Sequence, residues 1–205
     1  MAAGMSISGA LTEWVRDLVG GPAWDELLAE AAAVPPGSRG LLMLPYFEGE
    51  RTPIYDRDAR GTVTGLTLRH GRAELLRAAY EGIAFGVRQI LEAFAAASSP
   101  ASRVVAIGGG TKSSLWTQIV SDVTGADQHL PAVTLGACYG DALLAAIGAG
   151  LVPPETDWSR GADVVRPNAG DAAAYEELFP LYGDLYPATR DVVHALVERE
   201  RREGR

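Results

Sequence analysis

The chain has 205 residues, 47% of them hydrophobic and 21% charged, so it is long enough to bury one sizeable core and is not a disulfide-stapled miniprotein. Its 18 Lys and Arg against 26 Asp and Glu give a formal net charge of −8, which disfavours nonspecific binding to nucleic acid or to an anionic membrane. The single cysteine, Cys138, excludes an internal disulfide and a cysteine-based metal site, and we expect it to be a buried, reduced thiol.

The sequence shows neither a secretory signal nor a membrane span. No positive charge precedes an apolar stretch at the amino terminus, where the first basic residue is Arg16. The longest apolar run, around 143–152, is about half the roughly 20 residues that cross a bilayer. We therefore expect a cytoplasmic protein with no membrane and no nucleic-acid partner.

The first third of the chain is predicted to hold two short helices and two strands. Apolar residues at spacings of three and four indicate a helix over 11–19, and a second helix is predicted over 24–33. The apolar run over 41–44 is typical of a buried strand, and a further strand is predicted over 62–68. The polar stretch over 47–61 is expected to be a loop.

One long apolar stripe predicts the longest helix, over 73–97. An apolar run over 103–107 follows, which we interpret as a buried strand. Later helices are predicted from near Ser113, over 135–149, and over 171–198, where Pro180 and Pro187 are potential kink sites. The last residues, 199–205, are expected to form a frayed, solvated end. Few strands among long helices indicate a helix-rich α/β layer structure.

The most informative local feature is a strand, three glycines and then a helix. Gly108, Gly109 and Gly110 allow the backbone to adopt positive φ and to approach a ligand, and the helix that follows presents unpaired N–H groups. This arrangement is typical of phosphate binding, although it matches neither a Walker A loop around Lys112 nor the dinucleotide fingerprint. Taken alone, three glycines after a strand more often form a plain tight turn, and Ser113 or Ser114 can be no more than a helix cap.

A second motif occupies residues 61–81, GTVTGLTLRHGRAELLRAAYE. Its spaced glycines and its closing Ala-Ala-Tyr-Glu resemble the carboxy-terminal signature of the FGGY carbohydrate kinases, most of all the xylulokinases. Upstream, LPYFEGERTP resembles the loop that precedes this signature. Downstream, IGGGTKSSLWTQIVSDVTG and LGACYGDALLAAIGAG resemble the family's adenosine-nucleotide segment and its closing alanine-rich helix. Four blocks in the family's order, over about 10–190, make coincidence improbable.

The resemblance implies an actin-like, ribonuclease-H-like ATPase fold with a mixed sheet, in which ATP with Mg²⁺ phosphorylates a sugar hydroxyl. It implies that 1–205 form one carboxy-terminal, nucleotide-binding domain and that the amino-terminal sugar-binding domain is absent. By match to the family's motif, Gly109 and Gly110, with Gly108 beside them, would border the phosphates. Ser113 and Ser114 would lie near the adenosine.

No catalytic residue is expected in this chain. In the family, the catalytic aspartate, the first phosphate loop, the principal metal-binding acid and most sugar contacts belong to the amino-terminal domain. Four acids here are candidate substitutes, but an Asp in a loop or on a helix face is most often solvated or salt-bridged. These acids are Asp56, Asp58, Asp122 and Asp141.

For Arg51, Glu81 and the histidines, a purely structural role is the alternative to a functional one. Arg51, within the family's loop block, is either a cleft-facing group that orients substrate or closes against the other domain, or a surface partner of a neighbouring Glu. Glu81 is expected to pair with Arg77 one helical turn earlier. The histidines have no Cys or His at ligand spacing, so no metal site is predicted.

Two functions of different class follow from these observations. The chain is either the nucleotide-binding half of a sugar kinase, active when an amino-terminal half is supplied in cis or in trans, or a noncatalytic ATP-binding or interaction module, including the remnant of a disrupted kinase gene. A pentulose such as xylulose is the leading substrate, and a hexulose, a polyol or glycerol stays open as the acceptor, because specificity would reside in the absent half. A homodimer or a complementing half would bury the surface that faces the absent domain.

Overall fold

The computed structural model describes residues 3–133, 135–158 and 163–204, and shows a helix-rich α/β chain. Each of the six predicted helices is present within these ranges. In chain order the elements are α1 (Gly9–Leu18), α2 (Trp24–Ala32), β1 (Leu42–Leu44), β2 (Thr62–Thr64), α3 (Arg72–Ala96), β3 (Val104–Val105), α4 (Ser114–Thr124), β4 (Gln128–Leu130), α5 (Ala137–Gly148), β5 (Asp163–Val165) and α6 (Ala169–Glu203). A turn of 3₁₀ helix, Gly109–Lys112, precedes α4. No helix in the described ranges has the length and apolar character that a membrane crossing requires.

The strands form two small sheets. β1 and β2 pair antiparallel, with Met43 opposite Val63. β3 pairs parallel with β4, and β4 pairs antiparallel with β5, so the strand order is β3-β4-β5. The second sheet is therefore mixed, as predicted.

The core is built around the first half of α3. Every residue from Leu76 to Gly86 is buried, and the helix packs against α1, α2, β1 and α4. A helix that is buried on all sides has to lie at the centre of the fold. Its approach to β1 depends on Gly82, because a Cβ there would lie 2.2 Å from the Met43 carbonyl oxygen.

A buried ion pair fixes α3 within this core. Arg77 Nε lies 2.8 Å from Glu81 Oε1, which confirms the predicted pair, but both side chains are almost fully buried rather than on the surface. Tyr175 of α6 donates to Glu81 at 2.9 Å and accepts from Arg77 at 3.0 Å, while Ser38 Oγ donates to Glu81 Oε2 at 2.7 Å. Burial raises the pKa of Glu81, and the charge of Arg77 and these donors oppose that rise. The cluster joins α3 to α6 and to the turn before β1.

The predicted strand over 62–68 is wrong in its second half. β2 ends at Thr64, because Gly65 has a φ of +86° and a Cβ there would lie 2.1 Å from the Gly40 carbonyl oxygen. The chain turns at this position and leaves Leu66 and Leu68 exposed. The tight approach of Gly65 to Gly40 is a physical reason for glycine at this position of the signature.

The strand predicted over 103–107 is shorter and less buried than expected. β3 comprises Val104 and Val105 alone, both are half-buried, and Ile107 is 56% exposed. β5 was not predicted, because it lies in a stretch rich in proline and glycine that contains only a short apolar run. The β3 side of the mixed sheet is thus open in the described part of the chain.

The carboxy-terminal helix is longer than predicted. α6 runs from Ala169 to Glu203 with Pro180 and Pro187 inside it. Residues 199–203, for which we expected a frayed end, are helical, and Arg201 pairs with Asp58 of the loop between β1 and β2.

Cys138 is exposed, so the expectation of a buried thiol is wrong. It lies in the first turn of α5, and α5 has no buried residue. The expectation failed because the apolar composition of this helix indicates burial, whereas the described residues do not cover it.

Candidate functional site

The three glycines after β3 form a turn that leads directly into α4. Ala106 N–H still donates to the His129 carbonyl of β4, at 3.0 Å, and the chain then leaves the sheet. Gly108 has φ +87° and ψ −166°, a conformation that residues with side chains rarely adopt. The Gly108 carbonyl accepts from Thr111 N–H at 3.2 Å and from Thr111 Oγ1 at 2.7 Å, which closes the turn.

The turn is open on the side of its first two glycines. A Cβ built on Gly108 or on Gly109 would meet no described atom within 4 Å. On Gly110 it would lie 3.1 Å from the Trp116 ring. Side chains therefore do not plug the turn, and a ligand has access to its backbone at Gly108 and Gly109.

The amino-terminal end of α4 points its N–H groups into the same region. Ser113 is the N-cap, and its Oγ accepts from Trp116 N–H at 3.2 Å. The N–H groups of Ser114 and Leu115 lie in the first turn of α4, where a helix has no internal acceptors, and the helix dipole places partial positive charge there. Lys112, the only lysine in the chain, is exposed beside this helix end. The local charge of the turn favours an anion.

An aromatic pair supports the turn from below. Trp116 of α4 stacks on Tyr80 of α3, with ring centroids 5.2 Å apart and planes 17° apart. Burial raises the pKa of Tyr80, and the neighbouring Ser113 partly offsets this rise. No prediction from the sequence included this pair. Its signal is the Tyr in the signature together with a Trp three residues after the Ser113 cap. The stack ties the signature helix to the glycine turn.

Arg51 and its neighbour Glu50 contact the amino-terminal segment of the chain. Its backbone N–H donates to Glu50 Oε1 at 2.7 Å, and Ser6 N–H donates to the same oxygen at 2.8 Å. Glu50 is buried, its Oε2 has no hydrogen-bond partner among the described atoms, and burial raises its pKa despite these donors. The Arg51 side chain is exposed near Gly4, so a role for Arg51 in a substrate cleft stays a prediction.

Three of the four candidate acids make structural contacts. Asp122 accepts from Asn168 N–H at 2.7 Å, at the start of α6, and burial raises its pKa. Asp56 accepts from Tyr186 and from His194, each at 2.7 Å, and Asp58 pairs with Arg201. Asp141 is exposed on α5. Within the described ranges, no three His, Cys, Asp or Glu side chains form a group that could hold a metal ion.

A sequence model described as the FGGY family of carbohydrate kinases, C-terminal domain, matches residues 1–149. The chain belongs to the FGGY family of carbohydrate kinases. The xylulose kinase of Bacillus subtilis is 35% identical over 201 residues, which are 96% of this chain and 39% of that protein. The gluconokinase of the same organism is 29% identical over 195 residues, which are 86% of this chain and 37% of that protein.

A crystal structure of xylulose kinase from Rhodospirillum rubrum superposes on this FGGY chain with a TM-score of 0.79 and 33% identity. The match covers 93% of the present chain and 40% of that structure. The fold is therefore the actin-like ATPase fold of the FGGY kinases, as the sequence predicted. The chain spans about two fifths of the length of these relatives.

Proposed function

We propose that this chain is the nucleotide-binding half of an ATP-dependent FGGY carbohydrate kinase. The observation that carries the proposal is the open glycine turn at the amino-terminal end of α4. Gly108 and Gly109 offer backbone without side-chain obstruction, and the first turn of α4 offers N–H donors. Together they form a site for the phosphates of ATP. Ser113 and Ser114 would lie beside the adenosine, as the family resemblance implies.

The proposed reaction transfers the terminal phosphoryl group of ATP to a sugar hydroxyl. The hydroxyl oxygen forms a bond to the γ-phosphorus, the bond to the ADP oxygen breaks, and a base takes the hydroxyl proton. This half would contribute positioning and charge stabilisation through the N–H donors of the turn. The base would come from the amino-terminal domain, since Asp56, Asp58 and Asp122 are engaged in structural contacts.

The described residues fit the phosphates better than they fit a metal ion. The turn provides donors for phosphate oxygens, whereas the described ranges contain no cluster of metal ligands. Mg²⁺ would be held mainly by the phosphates themselves and by an acid of the amino-terminal domain. Its chemistry is to neutralise charge on the transferring group.

The proposed acceptor is a pentulose such as xylulose. The support is the similarity to xylulose kinases, at 35% identity in Bacillus subtilis and 33% in Rhodospirillum rubrum. A gluconokinase at 29% identity leaves a sugar acid as the next candidate.

The unique lysine allows a direct test of nucleotide binding. An ATP derivative that carries an acyl group on its terminal phosphate acylates a nearby amine and releases ATP. We expect it to modify Lys112, to do so faster than an acyl phosphate without the nucleoside, and to be inhibited by ATP with Mg²⁺. Peptide mass spectrometry separates Lys112 from the amino terminus. Labelling that ATP does not inhibit would contradict the proposed site.

A matched pair of aspartate variants separates the turn from general effects of charge. Gly109→Asp places a carboxylate in the open turn, where it repels phosphate, and we expect at least about tenfold weaker ATP binding by calorimetric titration. Gly9→Asp is the control, because a Cβ on Gly9 would likewise meet no described atom within 4 Å and Gly9 lies in α1. Equal losses in both variants would argue against the turn as the phosphate site.

A second candidate function is a nucleotide-binding module without catalysis of its own. The observation in its favour is that Asp56, Asp58 and Asp122 make structural contacts. None of these three acids is therefore free to act as a base at the turn. Under this alternative the chain binds ATP but forms no ADP with any sugar. An assay of ADP release with xylulose and gluconate distinguishes the two functions when the amino-terminal part of an FGGY kinase is supplied.

A further inference from the structure

The three glycines of the turn differ in what surrounds them. Gly108 has a positive φ, whereas Gly109 and Gly110 do not. A Cβ on Gly110 would press on the Trp116 ring at 3.1 Å, and a Cβ on Gly109 would meet no described atom within 4 Å. Gly108 therefore makes the turn and Gly110 rests on Trp116. Gly109, between them, presents the open backbone.

The Trp116 ring is fixed in turn by Tyr80. The two rings stack with centroids 5.2 Å apart and planes 17° apart. Tyr80 is 3% exposed and belongs to the stretch of α3, Leu76 to Gly86, in which every residue is buried. A stacked ring on a buried helix has little freedom to move. The stack therefore relates the position of the Gly110 backbone to the core helix of the fold.

The helix cap belongs to the same group of contacts. Ser113 N–H donates to the Gly110 carbonyl at 3.2 Å, and Ser113 Oγ accepts from Trp116 N–H at 3.2 Å. Burial raises the pKa of Tyr80, and a hydrogen bond from the Ser113 side chain opposes this rise. Gly110, Ser113, Trp116 and Tyr80 thus form one connected set, which we call the turn support.

A phosphate site built from backbone N–H groups depends on a support of this kind. Such a site binds well only when its donors already point at the ligand, because ordering them during binding costs free energy. No described side chain lies against the Gly109 Cα, so the position of its N–H is set by its two neighbours. A shift of Gly110 therefore moves the open part of the turn.

We propose that Trp116 and Tyr80 are positioning residues for the phosphates of the nucleotide. Trp116 holds the Gly110 backbone, and through it the Gly109 N–H, while Tyr80 holds Trp116 against α3. Both residues act through the turn rather than by contact with the nucleotide. The inference rests on the proposed function for the identity of the ligand.

Calorimetric titration of the full chain, well below its melting temperature, tests the role of the tryptophan. Trp116→Leu removes the stack, and we expect ATP to bind at least about tenfold more weakly. Trp116→Phe retains a ring and should restore most of the affinity. Inorganic tripolyphosphate should lose the same factor as ATP in Trp116→Leu, because the defect lies at the phosphates. Unchanged affinity, or a loss confined to ATP, would overturn the proposal.

A matched pair of variants in α3 separates positioning from general core packing. Tyr80→Leu removes the stack on Trp116. Phe85→Leu is the control, since Phe85 is equally buried but its ring lies 5.9 Å from Tyr175 and 5.0 Å from Tyr182 of α6. Both variants should lower the melting temperature, but Phe85→Leu should keep its ATP affinity within about twofold of the wild type. Equal losses of affinity in the two variants would contradict the proposal.

Gly110→Ala tests the same contact from the side of the turn, and it decides the question if Trp116→Leu does not fold. The added methyl group presses on the Trp116 ring, so we expect weaker ATP binding. The double variant Gly110→Ala with Trp116→Phe should bind ATP more tightly than Gly110→Ala alone, because the smaller ring leaves room. Equal affinity of the double and the single variant would mean that the methyl group only obstructs ATP.

The wild-type titration distinguishes this inference from the proposed function. A wild-type chain that binds neither ATP nor tripolyphosphate would overturn the proposed function, and the positioning role with it. Wild-type binding that Trp116→Leu and Tyr80→Leu leave unchanged would overturn the positioning role alone.

Discussion

At the scale of single residues, Glu81 at the end of the signature stabilises the fold through buried contacts. Glu81 accepts hydrogen bonds from Arg77, Tyr175 and Ser38 within the core. A buried ion pair whose charges are well paired contributes little over an apolar substitute, but the loss of one partner leaves an uncompensated buried charge. The spacing of Arg77 and Glu81 predicted the pair, whereas its burial depends on α6, which lies far away in sequence.

Replacement of Glu81 by Gln should destabilise the chain strongly. The amide removes the negative charge opposite Arg77, and we expect a loss of about 3 kcal/mol or more in the free energy of unfolding. Urea denaturation measures this loss. The double variant Arg77→Met with Glu81→Leu should lose less than the sum of the two single changes, by more than about 1 kcal/mol. Additive losses would contradict the coupling.

The contact of Asp56 with α6 should make stability depend on pH. Burial alone would raise the pKa of Asp56, but hydrogen bonds from His194 and Tyr186 outweigh it and hold the pKa below its usual value. A carboxyl group with a lowered pKa in the folded state stabilises the fold above its ordinary pKa of about 3.9. That contribution is lost as the pH falls through the folded-state value.

We therefore expect Asp56→Asn to be less stable than the wild type by about 1 to 2 kcal/mol at pH 7, and the difference to shrink below about pH 4. Urea denaturation at pH 7, 4 and 3 measures it. Asp191→Asn is the control, because the Asp191 side chain is 83% exposed and pairs only with its neighbour Arg190 in the described contacts. A difference for Asp56→Asn that is constant across these pH values would rule out the ionised carboxylate as its source.

At the scale of elements, two glycines in helices should respond in opposite directions to alanine. At Gly82 in α3, a Cβ would lie 2.2 Å from the Met43 carbonyl oxygen, so Gly82→Ala forces α3 away from β1. Overpacking of this kind costs about 1 to 3 kcal/mol. At Gly183 in α6 no described atom lies within 4 Å, so Gly183→Ala should stabilise by about 0.5 to 1 kcal/mol through helix propensity. Thermal denaturation measures both, and a destabilised Gly183→Ala would contradict this description of α6.

Most of the helices were predictable from sequence because their apolar residues recur at spacings of three and four. α3 was predicted over 73–97 and runs from Arg72 to Ala96. The strands were less predictable, because their lengths depend on contacts that residues distant in sequence provide. β2 ends where Gly65 meets Gly40, and β3 has a neighbour on only one edge among the described strands. Burial was predicted for 103–107 and for Cys138 because both stretches are apolar. The described residues nevertheless leave Ile107 and Cys138 exposed.

The backbone conformation of the candidate site was predictable from the sequence, but the side chains that pack against it were not. The order of strand, glycines and helix identified Gly108 to Gly110 and the Ser113 cap, because local conformation follows from local sequence. The stack of Trp116 on Tyr80 depends on the packing of α4 against α3, which no local pattern specifies. The contact of the Arg51 loop with Ser6 likewise joins residues that are distant in sequence.

At the scale of the whole molecule, α6 connects most of the parts. Along its length it contacts α3 through Tyr175, β1's flanking residue Tyr46 through Tyr182, and the loop after β1 through His194 and Arg201. The buried contacts lie in its first half, and Val197 is the main buried residue of its last two turns. Helix α5, by contrast, has no buried residue. Stability should therefore be distributed unevenly over the chain.

Hydrogen exchange on the isolated chain should reveal this distribution. Amides of α3 from Leu76 to Gly86 open only with the global unfolding of the core, so we expect them to exchange most slowly. Amides of α5 open locally, because few packing contacts oppose the loss of the helix, and we expect protection at least about 100-fold lower than in α3. Peptide-resolved mass spectrometry measures both helices in one experiment. Equal protection of α3 and α5 in a monomeric chain would contradict this uneven distribution of stability.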